Sequence, residues 1–146
     1  MNTEIITKLK IRKPAKEVFE ALVNPEQMSN YWFSSGTSRV EEGKEITWRY
    51  DEYNAEGIIT VLEVEEDKKI VFSWGGQDQE TVVTITLTEM DNFESIIEVN
   101  ESGLKEEDPE IVTKMIGQKE GWVYMLTCLK GYLENDITSL RASLMH

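Results

Sequence analysis

Asp108–Glu134 reads as a single helix of about 27 residues, roughly 40 Å long at a rise of ~1.5 Å per residue. Nothing else in the 146 residues is long enough to span a small domain, so the remaining elements must be organised around it. Asp108-Pro109 supplies an N-cap and a first-turn proline, and Glu106, Glu107 and Glu110 complement the positive helix end. The apolar positions form a main stripe (Val112, Met115, Ile116, Trp122, Val123, Leu126, Leu129, Leu133) and a side band (Ile111, Met125, Tyr132). Together they cover more than half the circumference, which predicts a helix embraced by a curved sheet rather than docked on one side.

The rest of the chain supplies that sheet. Thr3–Arg12 alternates as a first strand, and Pro14 opens a short helix carrying Val18, Phe19 and Leu22 and ending near Val23. Asn24-Pro25 caps a second short helix, which is expected to carry Met28, Tyr31, Trp32 and Phe33 as far as Ser34-Ser35-Gly36. Six strands are expected next: Ser38–Glu41, Glu45–Asp51, Ala55–Glu65, Lys69–Trp74, Thr81–Thr88 and Phe93–Glu101, separated by short turns. Ala55–Glu65 changes apolar parity midway, which places a bulge near Thr60. A run of strands joined by short turns gives an antiparallel meander.

Composition closes several function classes. A net charge of −13 repels phosphate backbones and anionic membranes, so neither nucleic acid nor membrane insertion is expected. There is no apolar run of membrane-spanning length and no signal-peptide block, and the single Cys128 forms no internal disulfide; a cytoplasmic location is the expectation. The only histidine is His146, at a chain end expected to fray. Ser-His-Asp and Cys-His machinery and ordinary zinc sites are therefore not expected, and neither a metal nor a cofactor is assigned.

Three stretches carry a resemblance. IRKPAKEVFEALVNPEQMSNYW (Ile11–Trp32), GIITVLEVEEDKKIVFSW (Gly57–Trp74) and GWVYMLTCLKGYLE (Gly121–Glu134) resemble the opening signature, central hairpin and closing helix of the heat shock protein 90 ATPase activator homologues. These belong to the START-related (SRPBCC, polyketide cyclase/Bet v-like) superfamily. The resemblance implies an α+β helix-grip fold: a curved seven-stranded antiparallel sheet wrapped around the long C-terminal helix, with two short helices between strands 1 and 2. It also implies a single domain over 1–146. Eukaryotic co-chaperones of this name use a separate N-terminal domain for much of their chaperone binding, and the first strand at residue 3 leads us to expect none here.

The candidate site is the gap between sheet and helix. Trp32, Trp48, Trp74 and Trp122 offer large apolar stacking surfaces, with Trp74 and Trp122 the foremost lining residues. Strand parity adds Tyr50 beside Trp48, and Phe72, Ile97 and Val99 from the neighbouring strands. Met115 and Leu126, with Met125, are expected to supply an adaptable apolar wall. Glu101 shares its face with Ser95, Ile97 and Val99; there it could anchor a ligand's amine or hydroxyl, act as a base, or be a solvated strand end. Lys119 is expected either to extend to the rim or to pair with Glu101. The Gly117-x-x-x-Gly121 pair suggests close approach of strands or a bend, and Cys128 an inert core thiol.

The expected function is binding of a small hydrophobic or amphipathic molecule in this cavity, by a monomer or homodimer. Two alternatives stand beside it. One is a cyclase- or hydrolase-type enzyme in which Glu101 is assisted by Tyr50 or Tyr124; the other is a chaperone-interacting module. No catalytic residue is assigned.

Overall fold

The computed structural model describes residues 1–76 and 78–145; His146 lies outside the described residues. Strand β1 (Ile5–Ile11) is followed by helices α1 (Ala15–Val23) and α2 (Pro25–Met28). Six further strands follow: β2 (Ser35–Gly36), β3 (Glu45–Tyr50), β4 (Ala55–Glu65), β5 (Lys69–Trp74), β6 (Thr81–Met90) and β7 (Glu94–Ser102). Helix α3 (Ile111–Asn135) comes last. The sheet is antiparallel throughout, in the order β1-β7-β6-β5-β4-β3-β2, so the N-terminal strand closes against the last one. This is the helix-grip architecture.

Local chemistry explains most boundaries. Asn24 accepts a hydrogen bond from the Glu26 backbone N–H while Pro25 occupies the first position of α2, so one Asn-Pro pair ends α1 and starts α2. The β4 register shifts between Val61 and Glu63. The bulge therefore sits at Leu62, two residues beyond the expected Thr60; Ile59 and Val61 point inward before it, and Leu62 is left exposed. The inner face then carries Ile46, Trp48, Ile59, Val61, Phe72, Val83, Ile85, Ile97 and Val99, all buried.

Four expectations need correction. Helix α2 stops at Met28, and Tyr31–Phe33 lie in the turn after it, where Tyr31 Oη donates to the Ala21 carbonyl at 2.7 Å. The second strand is Ser35–Gly36, not Ser38–Glu41, because Gly36 fits against the Trp48 indole where a Cβ would lie 3.0 Å from Cδ1. Helix α3 begins at Ile111, three residues after Asp108, whose carboxylate instead closes the preceding turn on the Glu110 N–H at 2.8 Å. Finally, the sheet grips α3 over less of its circumference than the apolar bands suggest. Trp122, Met125, Leu126, Cys128 and Leu129 are buried, but Val112, Ile116 and Val123 are 55%, 63% and 46% exposed. The sheet covers one side of the helix only.

A segment that alternation does not reveal completes the fold. Residues 136–145, after α3, carry no helix or strand yet are fastened over the open end of the sheet by side chains. Tyr124, Tyr50 and Tyr53 donate their hydroxyls to the carbonyls of Leu140, Arg141 and Leu144. Among the described residues no helix is long and apolar enough to cross a membrane.

Candidate functional site

Under this C-terminal strap lies a cavity of about 280 Å³. Seven aromatic side chains line it: Tyr31, Trp32, Tyr50, Tyr53, Trp74, Trp122 and Tyr124. Met125, Gln118, Gly121, Arg141 and Leu144 complete the wall. The aromatic wall is continuous. Trp74 stacks on Trp122 at 5.3 Å and 27°, and Trp32 meets Trp122 edge-on at 5.7 Å.

Arg141 is the cation at the mouth. Its Nε donates to the Trp32 carbonyl at 2.9 Å and one terminal nitrogen to Ser34 Oγ at 3.0 Å; the other pairs with Glu52, and the guanidinium lies 4.9 Å from the Tyr50 ring centroid. The Arg141 hydrogen bond holds the Glu52 carboxyl down at about 2, below the usual carboxylate range. Burial pushes the Tyr50 phenol upward, so it stays a hydroxyl donor to the strap.

Glu101 lies deeper, 1% exposed, near the end of β7. The solvated strand end is thereby excluded. Its Oε1 accepts from Trp122 Nε1 at 2.8 Å and Gln118 Nε2 at 2.9 Å. Its Oε2 accepts from Thr81 Oγ1 at 2.6 Å, Trp74 Nε1 at 3.0 Å and the same Gln118 nitrogen at 3.1 Å. Indole and amide N–H groups are donor-only, so this shell suits an acceptor-only carboxylate. Gly75 makes part of the shell possible: it ends β5 at φ +106°, and a Cβ there would fall 2.6 Å from the Gln79 carbonyl oxygen.

A second, more open cavity of about 440 Å³ is lined by Glu101 together with Trp74, Thr81, Leu104, Lys114, Gly117 and Gln118. Trp74 and Gln118 belong to both cavities and form the partition between them. Of the two readings of the glycine pair of α3, the close approach of strands is absent. A Cβ added at Gly117 or Gly121 would meet nothing within 4 Å; both glycines are exposed, Gly117 at the edge of the second cavity and Gly121 at the edge of the first.

The expected site residues therefore separate into three groups. Trp32, Tyr50, Trp74 and Trp122 line the aromatic cavity, and Glu101 lines its neighbour. Trp48, Phe72, Ile97, Val99 and Leu126 are buried in the core and line neither. The Trp48 Nε1–H finds no hydrogen-bond partner among the described residues. Met115 and Lys119 lie on the outer side of α3 against β1, and Lys119 Nζ donates to the Ile6 carbonyl at 2.6 Å and to Thr7 Oγ1 at 3.1 Å instead of pairing with Glu101. Sequence reasoning missed Tyr31, Tyr53, Thr81, Gln118 and Arg141. Gln118 alone carried a signal: it is a polar residue one turn before Trp122 on the same helix face.

Residues 12–134 match the family described as Activator of Hsp90 ATPase homolog 1-like protein. The chain is a member of that family. A solved Staphylococcus saprophyticus protein is 43% identical, with 92% of this chain and 94% of that one covered and a TM-score of 0.82. Two more distant structures show the shared fold alone. A protein of the dynemicin biosynthetic locus is 20% identical over 96% of this chain and 50% of its own, with a TM-score of 0.84. The Aha1 dimer of Colwellia psychrerythraea is 17% identical over 90% and 96%, with a TM-score of 0.78. No curated protein matches the sequence.

Proposed function

We propose that this family member binds a small hydrophobic or amphipathic molecule in the aromatic cavity between sheet, α3 and the C-terminal strap. The observation that carries the reading is the cavity wall itself. Seven aromatic rings around about 280 Å³ leave apolar surface uncovered, with polar groups supplied by Gln118, Arg141 and the tyrosine hydroxyls. The helical glycines support it, because each sacrifices about 1 kcal/mol of helix stability relative to alanine without gaining a packing contact. Binding is favoured over acid–base catalysis because both Glu101 oxygens are already engaged by donors, leaving the group placed to hold rather than to abstract.

Native mass spectrometry of freshly purified protein, followed by calorimetric titration with a lipid and aromatic library, tests the reading. A co-purifying or titratable ligand lost on Trp122→Ala and retained on Arg49→Ala is the expected result. Arg49 is a suitable control because its side chain is committed to exposed pairs with Asp51 and Glu56. Failure of every library member to bind, together with specific capture of a chaperone, would replace ligand binding by the chaperone-module reading.

A further inference from the structure

Glu101 is a buried carboxylate without a countercharge. Its partners are two indoles, a hydroxyl and an amide, all formally neutral. Lys114 lines the same cavity but its ammonium is paired with Asp108, and Lys119 is bound to β1, so neither donates to Glu101. An unpaired charge removed from water is costly, and neutral donors offset only part of that cost. Unlike most buried carboxylates, this one also forms part of a cavity wall.

We infer that the ligand carries a protonated alkylamine, which pairs with Glu101 while its apolar body lies in the aromatic cavity; the inference rests on the binding reading above. Gln118 Nε2 marks where the ammonium sits, since that single nitrogen bridges both carboxylate oxygens at 2.9 and 3.1 Å. Of the four donors, Gln118 is the replaceable one. Trp74, Thr81 and Trp122 are held by sheet and core packing, whereas Gln118 is a half-buried, unbranched side chain on α3 that borders both cavities and is outside the core. When its amide swings away, the two cavities join and each oxygen regains a free acceptor site. An ammonium placed there converts a neutral–ionic contact into a doubly charged one and needs no further rearrangement. The net charge of −13 draws cations toward the protein and works against anionic ligands.

The test is calorimetric titration of the intact protein with three probes sharing one apolar body: 4-phenylbutylamine, 4-phenylbutanol and 4-phenylbutyrate. The amine should bind about tenfold more tightly than the alcohol, as expected for a charge-assisted pair partly sheltered from water, and the carboxylate should bind most weakly. Glu101→Gln should erase the preference. Should that variant fail to fold, Gln118→Lys serves instead: it supplies a tethered ammonium, so it should fold and lose the preference for amine over alcohol. Equal binding of amine and alcohol to the wild-type protein overturns the inference and leaves the binding reading intact. Retention of the preference in either variant overturns it as well. Binding of no probe overturns both.

Discussion

Replacing the two helical glycines separates stability from function in one experiment. Gly117 and Gly121 lie inside α3, where glycine is less favourable than alanine by about 1 kcal/mol each. A methyl group at either position meets nothing within 4 Å, so no steric term opposes the gain. The double variant Gly117→Ala/Gly121→Ala should therefore be about 2 kcal/mol more stable than the parent. Taking an unfolding entropy of ~2.1 cal/mol/K per residue, the whole chain has about 0.3 kcal/mol/K, which converts that gain to a rise in Tm of roughly 6 °C. Differential scanning calorimetry reads the shift directly. Gly121→Leu should also be folded and at least as stable, yet it projects its side chain into the aromatic cavity and should abolish uptake of any ligand found there. Two results would refute the reasoning. A Tm that falls on alanine substitution would mean that the backbone needs glycine for a close approach. Undiminished binding by Gly121→Leu would mean that the ligand sits elsewhere.

Thr81→Val keeps shape and β-propensity but removes the 2.6 Å bond to buried Glu101; it should cost about 1.5–3 kcal/mol in urea unfolding, whereas Thr84→Val, on the opposite face of β6, should be nearly neutral. Arg141→Ala should accelerate amide exchange across residues 136–145 while leaving β5–β7 protected, and equal acceleration in both regions would show that the strap is not a separate unit. Acid should release the strap as well. The folded Glu52 carboxyl is depressed from its ordinary 4.5 to about 2, so its stabilisation is fully present above pH 4.5 and is lost as the pH falls toward 2. Glu134 is also held at about 2: burial acts to raise it, but hydrogen bonds from the Arg12 backbone N–H, Lys130 and the Arg12 side chain prevail. Exchange measured at stepped pH should show the strap loosening within that window, and Arg141→Ala should flatten the dependence.

The strands were legible because alternation is a local signal. Parity alone put Glu101 on the inner face with Ile97 and Val99, and Ile46, Trp48 and Tyr50 on one side of β3. What sequence could not supply was the partner of each residue. Apolar content around α3 suggested enclosure, but Val112, Ile116 and Val123 face outward because a sheet ending at β1 reaches only one flank. The alternative that paired Lys119 with Glu101 rested on charge, whereas the structure uses the polar edges of two tryptophans that had been valued only for their faces. The strap was invisible for a different reason. Residues 136–145 have no periodicity and are held by tyrosines distant in sequence, so nothing local marks Arg141 as more than a surface charge. Gly117 and Gly121 were seen, but empty space leaves no trace in a sequence, and the close approach expected beside them is absent.

The four indoles form one chain of contacts. Trp32 lies 4.9 Å from Trp48, 6.4 Å from Trp74 and 5.7 Å from Trp122, and Trp74 lies 6.5 Å from Trp48. At such separations transition dipoles couple, and excitation absorbed by any ring migrates among all four before it is emitted. The far-ultraviolet circular dichroism, where the strongest indole transition lies, should therefore carry an exciton couplet instead of four independent bands. Because Trp32, Trp74 and Trp122 border the aromatic cavity, an occupant that shifts one ring alters the spectrum of the whole set. The indole set thus offers an optical readout for the ligand titrations proposed above.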